Sequence, residues 1–216
     1  MLDAIDELLI PLLEGAYATL GYVGLTAVMA VENAFFFLPV PSEVVLPLAG
    51  WMVARGVEEP LTGGAWTYWA AVLVAVIGTT LGSLLLYAAS ALGGRPLLER
   101  YGRYVLIDAH DLEVADRWFA RYGDYAVFLA RMVPILRSVI SIPAGVARMP
   151  LWRFALFSAL GTVPWVMLLV WIGTVLGGNW PAIKELLRPV EYFAYALVLA
   201  LLLLFLWRQL RPARRA

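Results

Sequence analysis

From Pro60 to Gly94 the chain runs without one charged side chain. The centre of that run, residues 65–92, exceeds the roughly 20 apolar residues that carry a helix across a hydrocarbon layer about 30 Å thick. Inside such a layer no water bonds to the backbone, so a helix that satisfies its own amides is the economical solution. Phe154–Ile183 is also free of charge, with its core over 154–176, and a compact leucine-rich stretch at 190–207 reads as a third span. Trp66, Tyr68, Trp69, Trp180, Tyr192 and Trp207 stand near the ends of these runs, where aromatic rings prefer the water–lipid boundary.

Composition agrees with a membrane setting. Of 216 residues, 62% are hydrophobic and 15% charged, against about half and a quarter in soluble domains. The 16 basic and 16 acidic residues cancel, which argues against a nucleic-acid partner. Cysteine is absent, and His110 is the only histidine. Disulfides, thiolate metal sites, catalytic thiols and paired-histidine phosphatase chemistry are thereby excluded, and no cofactor is expected. His110 sits in the most polar stretch and reads as an ordinary solvated residue.

Two further apolar regions are broken. Residues 15–55 contain Glu32, Glu43, Pro39, Pro41 and Pro47, and residues 125–150 contain Arg131, Arg137, Pro134 and Pro143. The uncharged pieces between these marks, Asn33–Ser42 and Ser138–Ala147, are too short to span. Proline removes a donor and clashes with the preceding turn, and irregular backbone at membrane depth must be buried in protein or line a watery cavity. Both regions therefore read as re-entrant hairpins shaped by these prolines. Pro47-Leu48-Ala49-Gly50 in the first is echoed by Pro143-Ala144-Gly145 in the second, a faint sign of an inverted repeat.

The expected architecture is all-α: one transmembrane domain with three spanning helices and two opposed, proline-broken hairpins. Residues 1–14, rich in acids and without a basic n-region, read as an interfacial helix rather than a signal peptide. Residues 93–124 form a polar loop in which Leu112, Ala115, Trp118, Phe119 and Tyr122 share a helical face, with Asp108 as cap and Gly123 as stop. Arg208, Arg211, Arg214 and Arg215 put the tail, 208–216, in the cytoplasm by the positive-inside rule. Counting back places the 93–124 loop inside, the glutamate hairpin opening outward and the arginine hairpin opening inward. Gly78, Gly82 and Gly173 allow close helix packing within or between chains, which leaves a homodimer open.

Charges at membrane depth cost about 2.5–3.5 kcal/mol each on insertion scales, so four invite mutual pairing and a functional reading. Arginine grips phosphate in a bidentate, permanently charged manner, which makes Arg131 and Arg137 phosphate-binding candidates; a bend at Pro134 would let them converge. A carboxyl group in an apolar setting favours its neutral form, which makes Glu32 and Glu43 candidates for coupling to H+ or Na+.

At these residues the chain resembles the DedA family of bacterial membrane proteins, relatives of eukaryotic lipid scramblases. The likeness is carried by Glu32-Asn33 with Pro39-Val40-Pro41-Ser42-Glu43, by Phe128, Arg131, Pro134 and Arg137 at three-residue spacing, and by Ala144-Gly145, Met149, Phe154, Gly161, Pro164 and Trp165. Pro41 departs from the glycine many members have before the acid, and Glu43 stands where some have Asp. The resemblance implies return of undecaprenyl phosphate, the cell-wall lipid carrier, across the bacterial inner membrane, and a link to proton-motive force. It carries the family's important acids over to Glu32 and Glu43 and its paired arginines to Arg131 and Arg137. The expected partners are membrane lipids and a polyprenyl phosphate substrate. An energy-independent phospholipid scramblase or a small-ion or drug transporter would use the same charges. A membrane enzyme finds no support, since no nucleophile elbow or phosphotransferase motif is present.

Overall fold

The computed structural model describes residues 2–35, 42–94, 109–133 and 136–176, with single positions 179, 182, 185, 189 and 203 beyond them. Pro39, Pro41 and Pro134, the basic tail, and all but position 203 of the expected span at 190–207 lie outside the described residues.

The elements are helices throughout: α1 (Leu2–Ala34), α2 (Ser42–Ala54), α3 (Tyr68–Ala89), α4 (Ala109–Arg131), α5 (Leu136–Val139), α6 (Ser141–Val146) and α7 (Leu151–Leu176). A π turn, Ser90–Gly94, prolongs α3. Three segments are long and apolar enough to cross a membrane: Pro11–Ala34, Tyr68–Gly94 and Leu151–Leu176. The second and third match the runs at 65–92 and 154–176. Leu73, Ile77, Leu81 and Leu85 are exposed at four-residue spacing along α3, the outward apolar stripe a lipid-facing helix requires.

The first candidate span differs from the expectation. Residues 2–14 and the apolar stretch that reaches Glu32 form one helix, and its break falls at Gly21 (φ 53°, ψ −131°). Glu32 does not interrupt it, because Leu13, Tyr17, Leu25 and Met29 recur about every fourth residue on the buried face and Glu32 continues that face inward. A similar difference occurs at α4. Gly123 does not stop the helix, which runs on to Arg131 and joins the amphipathic segment to the apolar stretch that ends there. A mid-helix glycine costs only about 1 kcal/mol, and burial of Phe119, Val127 and Ala130 offsets that.

The break in α1 is held from outside. Glu59, in the loop after α2, accepts hydrogen bonds from the backbone of Tyr22 (3.2 Å), Leu61 (3.1 Å) and Thr62 (2.6 Å), and from the Thr62 hydroxyl (2.7 Å). A Cβ on Gly21 would lie 1.8 Å from Glu59 Oε1. Only glycine combines that space with a positive φ.

The helices then pack through glycines. A Cβ on Gly78 or Gly82 of α3 would stand 2.4 Å from the Thr26 carbonyl or 2.1 Å from that of Ala30 on α1. On α7, a Cβ on Gly161 would lie 2.5 Å from the Phe128 carbonyl of α4. The short helices cross to the opposite half: Gly50 of α2 abuts Val170 of α7, Gly173 of α7 abuts Pro47 of α2, and Gly145 of α6 abuts Tyr87 of α3. Gly78, Gly82 and Gly173 are thus all used within the chain. Helices α3 and α7 run antiparallel, since the Tyr68 hydroxyl donates to the Met167 carbonyl (2.9 Å) while Tyr87 stacks on Phe154 at 4.7 Å.

Candidate functional site

The inward face of α1 ends in Glu32, opposite the start of α2. There the Ser42 amide donates to Glu32 Oε1 at 3.3 Å, so the carboxylate sits at a helix N-terminus, where the backbone dipole favours negative charge. Glu43 follows in the first turn of α2. Arg137, on the short α5, reaches both acids: its Nη2 donates to Glu32 Oε1 at 3.0 Å and to Glu43 Oε1 at 3.3 Å, and also to the Ser42 hydroxyl. Its guanidinium carbon lies 5.8 Å from the Trp165 ring centroid, within cation–π range.

Arg131 is furnished differently. At the end of α4 it is 1% exposed. Its Nη2 donates to the Ser141 hydroxyl at 3.0 Å, and its guanidinium carbon lies 5.8 Å from the Phe154 ring centroid. Nε and Nη1 have no partner, and among the described residues no carboxylate pairs with it. The charge of Arg137 acts on it as well, so two cations share the interior. The sequence expectation of four converging charges is met for Glu32, Glu43 and Arg137; Arg131 stands apart with its charge uncompensated. Gly161 permits its position, since a Cβ there would lie 2.8 Å from Arg131 Cβ.

Of the hairpin-shaping residues, Pro47 lies in α2 against Gly173, and Pro143 and Gly145 lie in α6, Gly145 against α3. Sequence reasoning missed Ser42 and Ser141, whose hydroxyls accept from the two arginines. Ser42 is adjacent to Glu43, a usable signal; Ser141 had none.

Further buried polar atoms surround this centre without partners: Glu32 Oε2 and Asn33 Oδ1 on α1, Arg137 Nε, and Ser158 Oγ, Thr162 Oγ1 and Trp165 Nε1 on α7, with Thr79 Oγ1 on α3. A buried polar group left unbonded costs about 1–3 kcal/mol. A protein that needed this region only for packing would gain from apolar side chains in their place.

The profile of the VTT domain matches residues 40–175, more than half of the chain. The chain belongs to the VTT-domain, or DedA, family. Undecaprenyl phosphate transporter A of Bacillus subtilis (strain 168) is similar, 37% identical over 167 residues that cover 77% of each chain. The protein of the same name from Staphylococcus aureus (strain NCTC 8325 / PS 47) is 30% identical over 200 residues, 90% of this chain and 93% of its own. Alkaline phosphatase-like protein of Lactococcus lactis subsp. cremoris (strain MG1363) is 33% identical over 204 residues, 90% of this chain and 91% of its own. No solved structure matches. This DedA-family chain is a multi-pass membrane protein, and its relatives from B. subtilis and S. aureus are named as transporters.

Proposed function

We propose that this protein returns undecaprenyl phosphate, or a closely related lipid phosphate, across the bacterial inner membrane, coupled to H+ or Na+, with its C-terminus in the cytoplasm. The observation that carries the reading is Arg131: a fully buried guanidinium, with two donor nitrogens unpartnered, beside a second arginine held by acids. Breaking a buried ion pair without replacement costs about 3–5 kcal/mol, so Arg137 leaves its carboxylates only when another anion takes their place. With both glutamates ionised the four groups sum to zero. With both neutralised the centre carries two positive charges, which suits a phosphate monoester of about −1.5 to −2. Cation uptake at Glu32 and Glu43 and phosphate uptake at Arg131 and Arg137 are then one exchange. The unpartnered acceptors Glu32 Oε2 and Asn33 Oδ1 support the α1 side as the cation's entry.

The reciprocal contacts support two opposed hairpins from an inverted repeat: α1 packs on α3 as α4 does on α7, while α2 leans on α7 and α6 on α3. The name of the relatives from B. subtilis and S. aureus supports the substrate class. Reconstitution into liposomes, with the lipid phosphate followed leaflet by leaflet under an imposed pH or sodium gradient, tests the proposal. Arg131→Ala and Arg137→Ala proteins that move the lipid as well as the parent would refute it, and transport indifferent to either gradient would remove the coupling.

A further inference from the structure

Hydroxyls inside apolar helices ordinarily bond back to their own preceding turn, and five in this chain do. Thr19 donates to the Gly15 carbonyl at 2.7 Å, Thr26 to Tyr22 at 2.9 Å, Thr80 to Val76 at 2.7 Å, Ser83 to Thr79 at 2.6 Å and Thr174 to Val170 at 2.9 Å. Three do not. Ser158, Thr162 and Thr79 are 1%, 5% and 2% exposed, and their oxygens have no partner of any kind.

These three are gathered at one depth. On α7, Phe154, Ser158, Thr162 and Trp165 follow one another at spacings of four, four and three, which is one face of a helix. The ends of that face are fixed by contact: Phe154 lies against the Arg131 guanidinium and Trp165 against that of Arg137. Ser158 and Thr162 fall between, on either side of Gly161, where a Cβ would lie 2.8 Å from Arg131 Cβ. Thr79 comes to the same level from α3, by the antiparallel register that the Tyr68–Met167 and Tyr87–Phe154 contacts set. The unpartnered Arg131 Nε and Nη1 and Trp165 Nε1 on this side can only donate. The three hydroxyls could accept from them as well as donate, yet none of these groups bonds another. What completes such a surface is a ligand presenting several acceptor oxygens.

We infer that Ser158, Thr162 and Thr79 form the uncharged half of the phosphate seat, their hydroxyls donating to headgroup oxygens that Arg131 and Arg137 do not reach. This rests on the phosphate reading above and adds to it a set of residues that carry no charge. The arrangement keeps the hydroxyls free by forgoing bonds in the ligand-free protein, a site held ready at the expense of stability.

The test uses the purified full chain in lipid nanodiscs, with farnesyl phosphate as probe and farnesol and inorganic phosphate as comparisons, reading both affinity and melting temperature. Ser158→Ala, Thr162→Val and Thr79→Val each weaken farnesyl phosphate binding about tenfold. Without ligand they melt at the parent temperature or about 2–4 °C above it, since an unsatisfied oxygen is gone. That rise also certifies the fold. Thr80→Val and Thr174→Val, whose hydroxyls are already bonded to their own helix, leave affinity unchanged. A Ser158→Ala/Thr162→Val protein that binds as tightly as the parent, while Arg131→Ala loses binding, overturns this inference and spares the phosphate reading. Full binding by Arg131→Ala overturns the phosphate reading itself. Inorganic phosphate competing as well as farnesyl phosphate overturns the lipid as the ligand of these hydroxyls.

Discussion

Glu59 and Glu32 are both enclosed carboxylates, and the chain furnishes them in opposite ways. Glu59 accepts four hydrogen bonds from Tyr22, Leu61 and Thr62, and its carboxyl is held below its ordinary value near 4.5, chiefly by the Thr62 hydroxyl. It fastens the outer loop onto the break in α1 and has little left to offer a ligand. Glu32 shares one oxygen between Arg137 and the Ser42 amide and leaves the other unbonded. A carboxylate whose acceptors are all filled locally is a fixture. One whose partners include a second buried charge and an unfilled lone pair has chemistry still to do.

Substitutions can break or sharpen that contrast. The largest loss of stability is expected from Gly21→Ala, which meets both a positive φ and the Glu59 oxygen; about 3 kcal/mol or more should disappear from denaturant unfolding in detergent. Arg131→Ala should do the reverse, cutting lipid-phosphate transport about 100-fold or more while the protein melts no lower than the parent. Gln replacements separate the two acids. Glu32→Gln should lower the melting temperature, because Arg137 loses one of its two buried carboxylates, and lose the response of transport to a pH gradient; a preserved response would remove Glu32 from coupling. Glu59→Gln should leave that response intact and alter the acid limb of stability. Because the folded Glu59 carboxyl titrates below its ordinary value, its contribution is present above about pH 4.5 and fades as pH falls through the folded value. Acid unfolding followed on both proteins should show that fall in the parent and its absence in Glu59→Gln. The smallest effect belongs to Arg153→Ala, which removes a 2.6 Å pair with Asp124 at a position 46% exposed. About 0.5 kcal/mol or less is expected there, by the same unfolding measurement.

Much of this was readable from residues alone. The charge-free runs at 65–92 and 154–176 carry their own solvent requirement, and the four interior charges declare themselves by their cost. The first helix was misjudged because Glu32 looked like an end to the apolar stretch; one-dimensional hydropathy does not show that it lies on the protein-facing stripe with a cation waiting. Gly123 misled in the same way, since burial of Phe119 and Val127 outweighs a modest propensity penalty. The inequality between Arg131 and Arg137 had no linear signal at all. It depends on which arginine the crossing of α2 over α7 brings to the acids. The hydroxyls on α7 look in the sequence like the small residues that line any membrane helix.

Helix α4 joins an amphipathic surface segment to the interior without a break. It is unbroken from Ala109 to Arg131, about 35 Å at 1.5 Å per residue. Its amphipathic first half has the pattern of a segment that floats on lipid headgroups, and its last residue holds the unpaired guanidinium. A lever of that length converts a tilt of about 5° at one end into about 3 Å at the other. That is the full reach of a hydrogen bond, so bilayer tension or headgroup crowding at the surface would shift the Arg131 guanidinium by as much.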